Sequence, residues 1–281
     1  MKMKWHEKLT LAIVVVICCL PLITHIKQSK PAPSKNAELS TQSPIQTTQR
    51  VEINTVINTT TTIQSKKTIS VSQNPTSPEY FDDVVFVGDS VSEGLRRYAA
   101  WEKDELDIDY FGKAQFLTAG NFGVHNAIVG NCLPVYKGQK IPLEDNIAQM
   151  DVKKVYILLG LNDVAIYDRE TVIENYEEVI NRILSKKPDL DIIIQSVTPI
   201  TRHEESLGGA YQDLDRAHIN ALNEALKEMA EEKDYFFLDI GSVLKDSEGF
   251  LPDEFSFDGT CHMRPEALEL WINYLQTHTL K

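Results

Sequence analysis

Three short stretches carry side chains suited to nucleophilic chemistry, and they lie far apart in the chain. "VVFVGDSVSEGL" (84–95) runs four β-prone apolar residues into Gly88, Asp89 and Ser90, and a helix-compatible segment follows. "LLGLNDV" (158–164) holds Asn162 and Asp163, and "FDGTCHMRPEALELW" (257–271) holds Asp258 and His262. A hydroxyl becomes a competent nucleophile when a base takes its proton and an acceptor orients that base. The oxyanion formed on the attacked carbonyl then needs N–H donors. Ser90, His262 and Asp258 supply the first three groups; Ser90, Gly120 and Asn162 supply the donors. Gly120, in "TAGNFG" (118–123), suits the role because no Cβ keeps a substrate from its backbone. Gly123 in the same stretch is the alternative. Read alone, Asp89 or Ser90 is equally a helix N-cap. The partners that follow at later strand ends turn the reading towards a nucleophile.

The elements that would position these residues alternate in type. Apolar runs at 84–88, 114–120, 154–160, 191–197 and 235–240 read as strands. Between them, "TVIENYEEVINRILSKK" places Val172, Tyr176, Val179, Ile180 and Ile183 on one helical face, and 214–232 does the same with Leu214, Ile219, Leu222, Leu226 and Met229. A last helix begins near Pro265, since proline suits a first turn, and runs through Leu268, Trp271 and Leu275. Strands alternating with helices predict a parallel sheet, so the expected fold is a three-layer α/β/α sandwich with five parallel strands. Sites in such sheets form at the carboxyl ends of strands.

The 281 residues divide into three parts. Residues 1–26 have a cationic start and then "LTLAIVVVICCLPLITHI", near the lower limit of the roughly 17–25 residues that span a bilayer. Thr24, His25, Ile26 and Lys27 offer no small-residue cleavage site, so an anchor is expected rather than a cleaved signal. No small residue precedes Cys18, which disfavours a lipoprotein signal. Residues 27–78 are rich in Ser, Thr, Gln, Asn and Pro and read as a flexible linker, with a weak hairpin in "VEINTVINTTTT" (51–62) as the alternative. Residues 79–281 form the globular part. They carry −19, because residues 1–78, with nine Lys/Arg against three Asp/Glu, contribute +6 to the whole-chain −13. Such acidity repels phosphate backbones and argues against nucleic acid as a partner.

In these blocks the chain resembles the SGNH (GDSL-type) hydrolases. That family has a Gly-Asp-Ser block, a glycine in a second block, a Gly-x-Asn-Asp block and a C-terminal Asp-x-x-His block. "GDSVSEGL" and "GLND" match the first and third, and the likeness covers roughly residues 80–277. The fourth departs, because three residues separate Asp258 from His262 where the family has two. Either the loop carries one extra residue and Asp258 still reaches the imidazole, or a backbone carbonyl or another acid such as Asp253 orients His262.

The resemblance implies a flavodoxin-like fold; no His-x-x-x-His, paired Cys-x-x-Cys or phosphate-cradling glycine loop is present, so no cofactor and no metal are expected. It also implies an esterase in which Ser90 attacks an ester carbonyl while His262 takes its proton. With the anchor and linker, the expectation is an extracytoplasmic enzyme that removes short acyl groups, such as acetyl, from a cell-envelope or extracellular glycan. The domain would sit outside a single-pass anchor, or be secreted if the segment is cleaved. An O-acyltransferase to a glycan and a catalytically silent binding module of the same fold are the alternatives, the latter favoured by the altered Asp258–His262 spacing.

Other residues carry weaker signals. Asp89, His125 and Asp163 are candidate substrate contacts, with a structural polar contact as the plainer reading of His125. Cys132 and Cys261 are either two unpaired thiols or a disulfide bracing the His262 loop. Tyr98, Trp101, Tyr110 and Phe111 read as core packing, with sugar stacking as the alternative.

Overall fold

The computed structural model describes residues 67–207 and 214–281. The expected membrane segment, the 51–62 hairpin and most of the linker lie outside them. The linker ends earlier than expected. Ile69–Val71 (β1) pairs antiparallel with His278–Leu280 at the C-terminal end. The Ser72 N–H also donates to the Thr277 carbonyl at 2.9 Å, and the Lys67 ammonium meets Asp191 at 2.9 Å. Residues 67–78 thus belong to the folded part. Their polar composition conceals this because a three-residue strand gives almost no periodic signal.

From there the chain runs through β2 (Val84–Gly88), α1 (Ser90–Leu106), β3 (Gln115–Thr118), α2 (Val124–Val129), α3 (Leu143–Ala148) and β4 (Lys154–Leu158). It continues through α4 (Leu161–Val164), α5 (Arg169–Lys186), β5 (Asp191–Gln195), α6 (Arg202–Leu207), α7 (Arg216–Glu232) and β6 (Phe236–Leu238). It closes with α8 (Gly241–Leu244), α9 (Pro265–Thr277) and β7 (His278–Leu280). The five expected strands are all present, β2 with the expected bounds and the other four shorter. The short helices α2, α3, α4, α6 and α8 are additional, being too brief to show a period.

Strands β3-β2-β4-β5-β6 form one parallel sheet in that spatial order. Every residue of β2 is buried, as are four of five in β4 and β5. That is why these strands read as unbroken apolar runs rather than alternating ones. Helices α1, α8 and α9 pack together on one face, and α2, α3, α5 and α7 on the other. The buried stripe of α5 is Val172, Tyr176, Val179, Ile180 and Ile183. Trp271 of α9 is fully buried and donates its indole N–H to Gln195 Oε1 at 2.9 Å. A side chain buried to this extent contributes roughly 1.5–3 kcal/mol. The strand order reverses between β2 and β4, which opens a crevice at their carboxyl ends. Ser90 follows β2 and Asn162 follows β4.

Candidate active site

The turn from β2 into α1 is set by close packing. A Cβ at Gly88 would lie 2.0 Å from Ser92 Oγ and 3.1 Å from the Leu158 carbonyl, so only glycine lets the helix start this near the sheet. Asp89 then caps α1, its carboxylate accepting the Val91 N–H at 2.9 Å. The question of cap or nucleophile resolves by division: Asp89 caps, and the Ser90 hydroxyl is left for another partner. That partner is His262, whose Nε2 lies 2.9 Å from Ser90 Oγ.

The loop carrying His262 accommodates its extra residue. Ser256 and Met263 form an antiparallel bridge across its base, and the Phe257 N–H donates to the His262 carbonyl at 3.1 Å. Gly259, at φ +79°, turns the chain back so that Asp258 faces His262. Asp258 Oδ2 lies 2.5 Å from His262 Nδ1, while its Oδ1 accepts the Thr260 N–H at 2.9 Å and the Ser256 hydroxyl at 3.1 Å. Thr201 ties the loop down from outside through its N–H to the Thr260 carbonyl (3.1 Å) and its hydroxyl to the Gly259 carbonyl (2.5 Å). Asp253 makes no hydrogen bond to His262.

Burial disfavours the His262 imidazolium, but the hydrogen bond it donates to Asp258, helped by the Cys261 sulfur 3.9 Å away, outweighs it and raises the pKa above its ordinary value. Asp258 is held well below the usual carboxylate range, since the His262 bond overcomes the opposing effect of burial. Cys261, next to His262 in sequence, keeps its sulfur beside the imidazole as a thiol rather than bracing the loop through a disulfide. Cys132 and Cys261 are both free thiols.

Asn162 stands across the crevice, its amide donating to Asp89 Oδ2 at 3.4 Å and to the Phe122 carbonyl at 3.3 Å. Both bonds are long, so the amide is held in place yet remains shareable. Asp163 is buried and accepts the Val124 and His125 N–H groups, both at 3.0 Å. Burial raises its pKa, and those two N–H groups oppose the rise. Asp163 therefore anchors the start of α2 rather than facing a ligand. His125 gives its N–H to this anchor and rests its ring 4.6 Å from that of Tyr167. Asp89, fully buried, has a pKa raised to about 6, burial outweighing the Val91 N–H and the His262 charge.

The two candidate glycines differ sharply. Gly120 is exposed, with open space where a Cβ would stand. Gly123 is buried, and a Cβ there would meet Asp163 Oδ2 at 2.4 Å. Its neighbour Phe122 holds the Asn162 amide, which puts Gly123 beside that donor. Among the described residues no protein acceptor takes the N–H of Ser90 or of Gly123.

The profile of the GDSL-like lipase/acylhydrolase family matches residues 86–270, spanning every group described above. The chain belongs to the GDSL-like lipase/acylhydrolase family. Membership makes it an SGNH-type serine ester hydrolase. A comparison with curated proteins gave no match. Among solved structures, a protein of Streptococcus pneumonia described as a platelet activating factor is 20% identical over 69% of this chain and 81% of its own, with a TM-score of 0.53. A GDSL-like lipase from Bacteroides thetaiotaomicron is 17% identical over 71% of this chain and 87% of its own, at a TM-score of 0.51. At such identities these two likenesses speak to the fold.

In the aromatic segment of this GDSL-family domain Tyr98 and Phe111 are core, while Trp101 and Tyr110 are half-buried and stack against Tyr98 at ring separations of 6.5 and 6.4 Å.

Proposed function

We propose that this protein hydrolyses short acyl esters with Ser90 as nucleophile, His262 as base and Asp258 as orienting acid. The observation that carries the reading is the continuous chain Ser90 Oγ–His262 Nε2 (2.9 Å) and His262 Nδ1–Asp258 Oδ2 (2.5 Å) at the carboxyl end of β2. As Ser90 Oγ attacks the carbonyl carbon, His262 Nε2 takes its proton. The carbonyl π electrons move onto oxygen, which rests on the N–H groups of Ser90 and Gly123 and on the Asn162 amide. Gly123 takes the place expected of Gly120, on the grounds of burial and of contact with the Asn162 partner. The tetrahedral species collapses, and His262 gives its proton to the departing alkoxide. Water, deprotonated by His262, then attacks the acyl-serine and releases the acid. Each oxyanion donor is worth roughly 2.7–4 kcal/mol of transition-state stabilisation.

The acyl group is short, such as acetyl, since no extended apolar loop is present in the sequence to cover a long chain. The substrate is a glycan outside the cell, reached by a domain on a tether; this rests on the apolar segment at 9–26 and the polar stretch that follows it. The feature that favoured a silent binding module, the longer Asp258–His262 spacing, loses its force because Asp258 reaches the imidazole. The test is turnover of aryl acetates by the full chain beside its Ser90→Ala variant. Loss of at least about a thousandfold is expected, and full activity of the variant would remove Ser90 from the mechanism.

A further inference from the structure

A cleft of about 330 Å³ runs along α1 beside the Ser90 chemistry, lined by Glu93, Arg96, Phe116, Ala119, Val135 and Lys140 among others. The sheet register fixes its place. Gly88 pairs with Thr118, and the Ala119 N–H donates to the Gly88 carbonyl at 3.2 Å, so the Thr118–Ala119 wall stands next to Asp89 and Ser90. Along α1, Glu93 is one turn from Ser90, and Arg96 lies about 9 Å further along the axis than Ser90 at 1.5 Å per residue. That is roughly the span of one sugar ring with its ester substituent.

The charge in this cleft runs against that of the domain, whose residues 79–281 carry −19. Glu93 is the acid in the lining, and it is fully engaged. It accepts from Arg96 through both oxygens (2.8 and 2.7 Å), from Arg97 at 2.8 Å and from the Thr118 hydroxyl at 2.5 Å. Burial pushes its pKa up, but those bonds win and hold it at about 2, so it stays ionised and neutralises one arginine. Arg97 shares that carboxylate from outside the lining. Lys140 brings an unbalanced positive charge to the exposed rim, and it pairs with no acid among the described residues. The opposite wall is apolar, with Val135 exposed and Phe116 stacked on Phe86 at 4.9 Å. A surplus cation facing an apolar wall suits an alcohol that has a hydrophobic face and a single negative charge. The acidity of the rest of the domain disfavours densely charged polymers.

We propose that this cleft binds the alcohol portion of a carboxylate-bearing ester, such as an acylated acidic sugar, with Lys140 and Arg96 meeting the carboxylate. The proposal rests on the ester-hydrolase reading and names its substrate class. Lys140 is the informative position, because removing Arg96 would also leave the Glu93 carboxylate uncompensated.

The test compares 3-carboxyphenyl acetate with phenyl acetate in the full chain and in its Lys140→Met and Lys140→Glu variants. Any difference in intrinsic reactivity between the two esters cancels between variants. The ratio of kcat/KM, charged over neutral, should fall on the order of fourfold in Lys140→Met and on the order of tenfold in Lys140→Glu, through KM of the charged ester. Ratios within twofold of the parent in both variants, including an equal loss on both esters, would overturn the proposal. Calorimetric binding of the same two esters to Ser90→Ala reads the cleft without turnover. There the preference for the charged ester should vanish when Lys140→Glu is added, and a preference that persists also overturns it. Hydrolysis of both esters by Ser90→Ala would instead refute the nucleophile, leaving the ratio to judge the cleft.

Discussion

Replacing Gly123 by alanine puts a methyl group where the structure has a carboxylate. The added Cβ would lie 2.4 Å from Asp163 Oδ2 and 2.7 Å from its Cγ and Oδ1, well inside contact distance, so the buried Asp163 carboxylate must move. Its two bonds to the Val124 and His125 N–H groups, each 3.0 Å, must lengthen or break. A bond to a charged group is worth about 1.5–3 kcal/mol, so a loss of about 2–4 kcal/mol in stability is expected. The start of α2 shifts with the carboxylate and carries the Gly123 N–H away from the oxyanion position, which adds a loss of about a hundredfold in kcat. Gly120→Ala is the control. Its Cβ would meet nothing within 4 Å, so its effect should stay within about ±0.5 kcal/mol. Thermal melts and aryl acetate turnover, measured well below each midpoint with folding checked by circular dichroism, separate the two effects. The reasoning is refuted if Gly120→Ala proves the more damaging, or if Gly123→Ala turns over and melts like the parent.

Three further outcomes follow from the same geometry. The raised His262 pKa places the acidic limb of kcat/KM above the ordinary 6.5, because the base acts only when neutral. Asp258→Asn should move that limb to lower pH while cutting the plateau by at least about a hundredfold; a limb that stays put contradicts the Asp258 assignment. Asp89 has a folded pKa of about 6 against 3.8 unfolded, so its ionisation costs stability that grows as pH rises from 4 to 6 and is fully felt above 6. Asp89→Asn should therefore be more stable than the parent at pH 7.5 by about 1–3 kcal/mol, less so at pH 4.5, and yet slower because Asn162 loses an acceptor. Equal differences at both pH values in urea titrations would count against it. A chain starting at residue 79 lacks β1 and exposes the edge of β7. It should lose about 3 kcal/mol relative to a chain starting at residue 65, which is roughly 6–12 °C in Tm; equal melting points would show that the β1–β7 pairing is not stabilising.

The sheet was legible because β2, β4 and β5 are buried on both faces and leave long apolar runs. The two long central helices were legible because their buried stripes repeat at 3.6 residues. Ser90, Asn162 and His262 could be found because each follows a strand end or precedes a helix, where local signals are strong. What escaped depended on contacts distant in sequence. Gly123 is singled out by Asp163, forty residues later, and the β1 strand by a partner at the far end of the chain. The extra residue before His262 looked like a defect because spacing alone cannot show a left-handed glycine turning Asp258 back. The cationic cleft was hidden because Glu93, Arg96 and Lys140 are ordinary surface residues until β3 brings their segments together.

The central claim is that Ser90 is a nucleophile activated by His262, and covalent labelling tests it most directly. A fluorophosphonate probe incubated with the full chain should add one phosphonyl group, found on Ser90 by peptide mass spectrometry. Labelling should be lost in Ser90→Ala and reduced at least about a hundredfold in His262→Ala. Absence of label on the folded chain, or label that persists in the Ser90→Ala protein, would contradict the account.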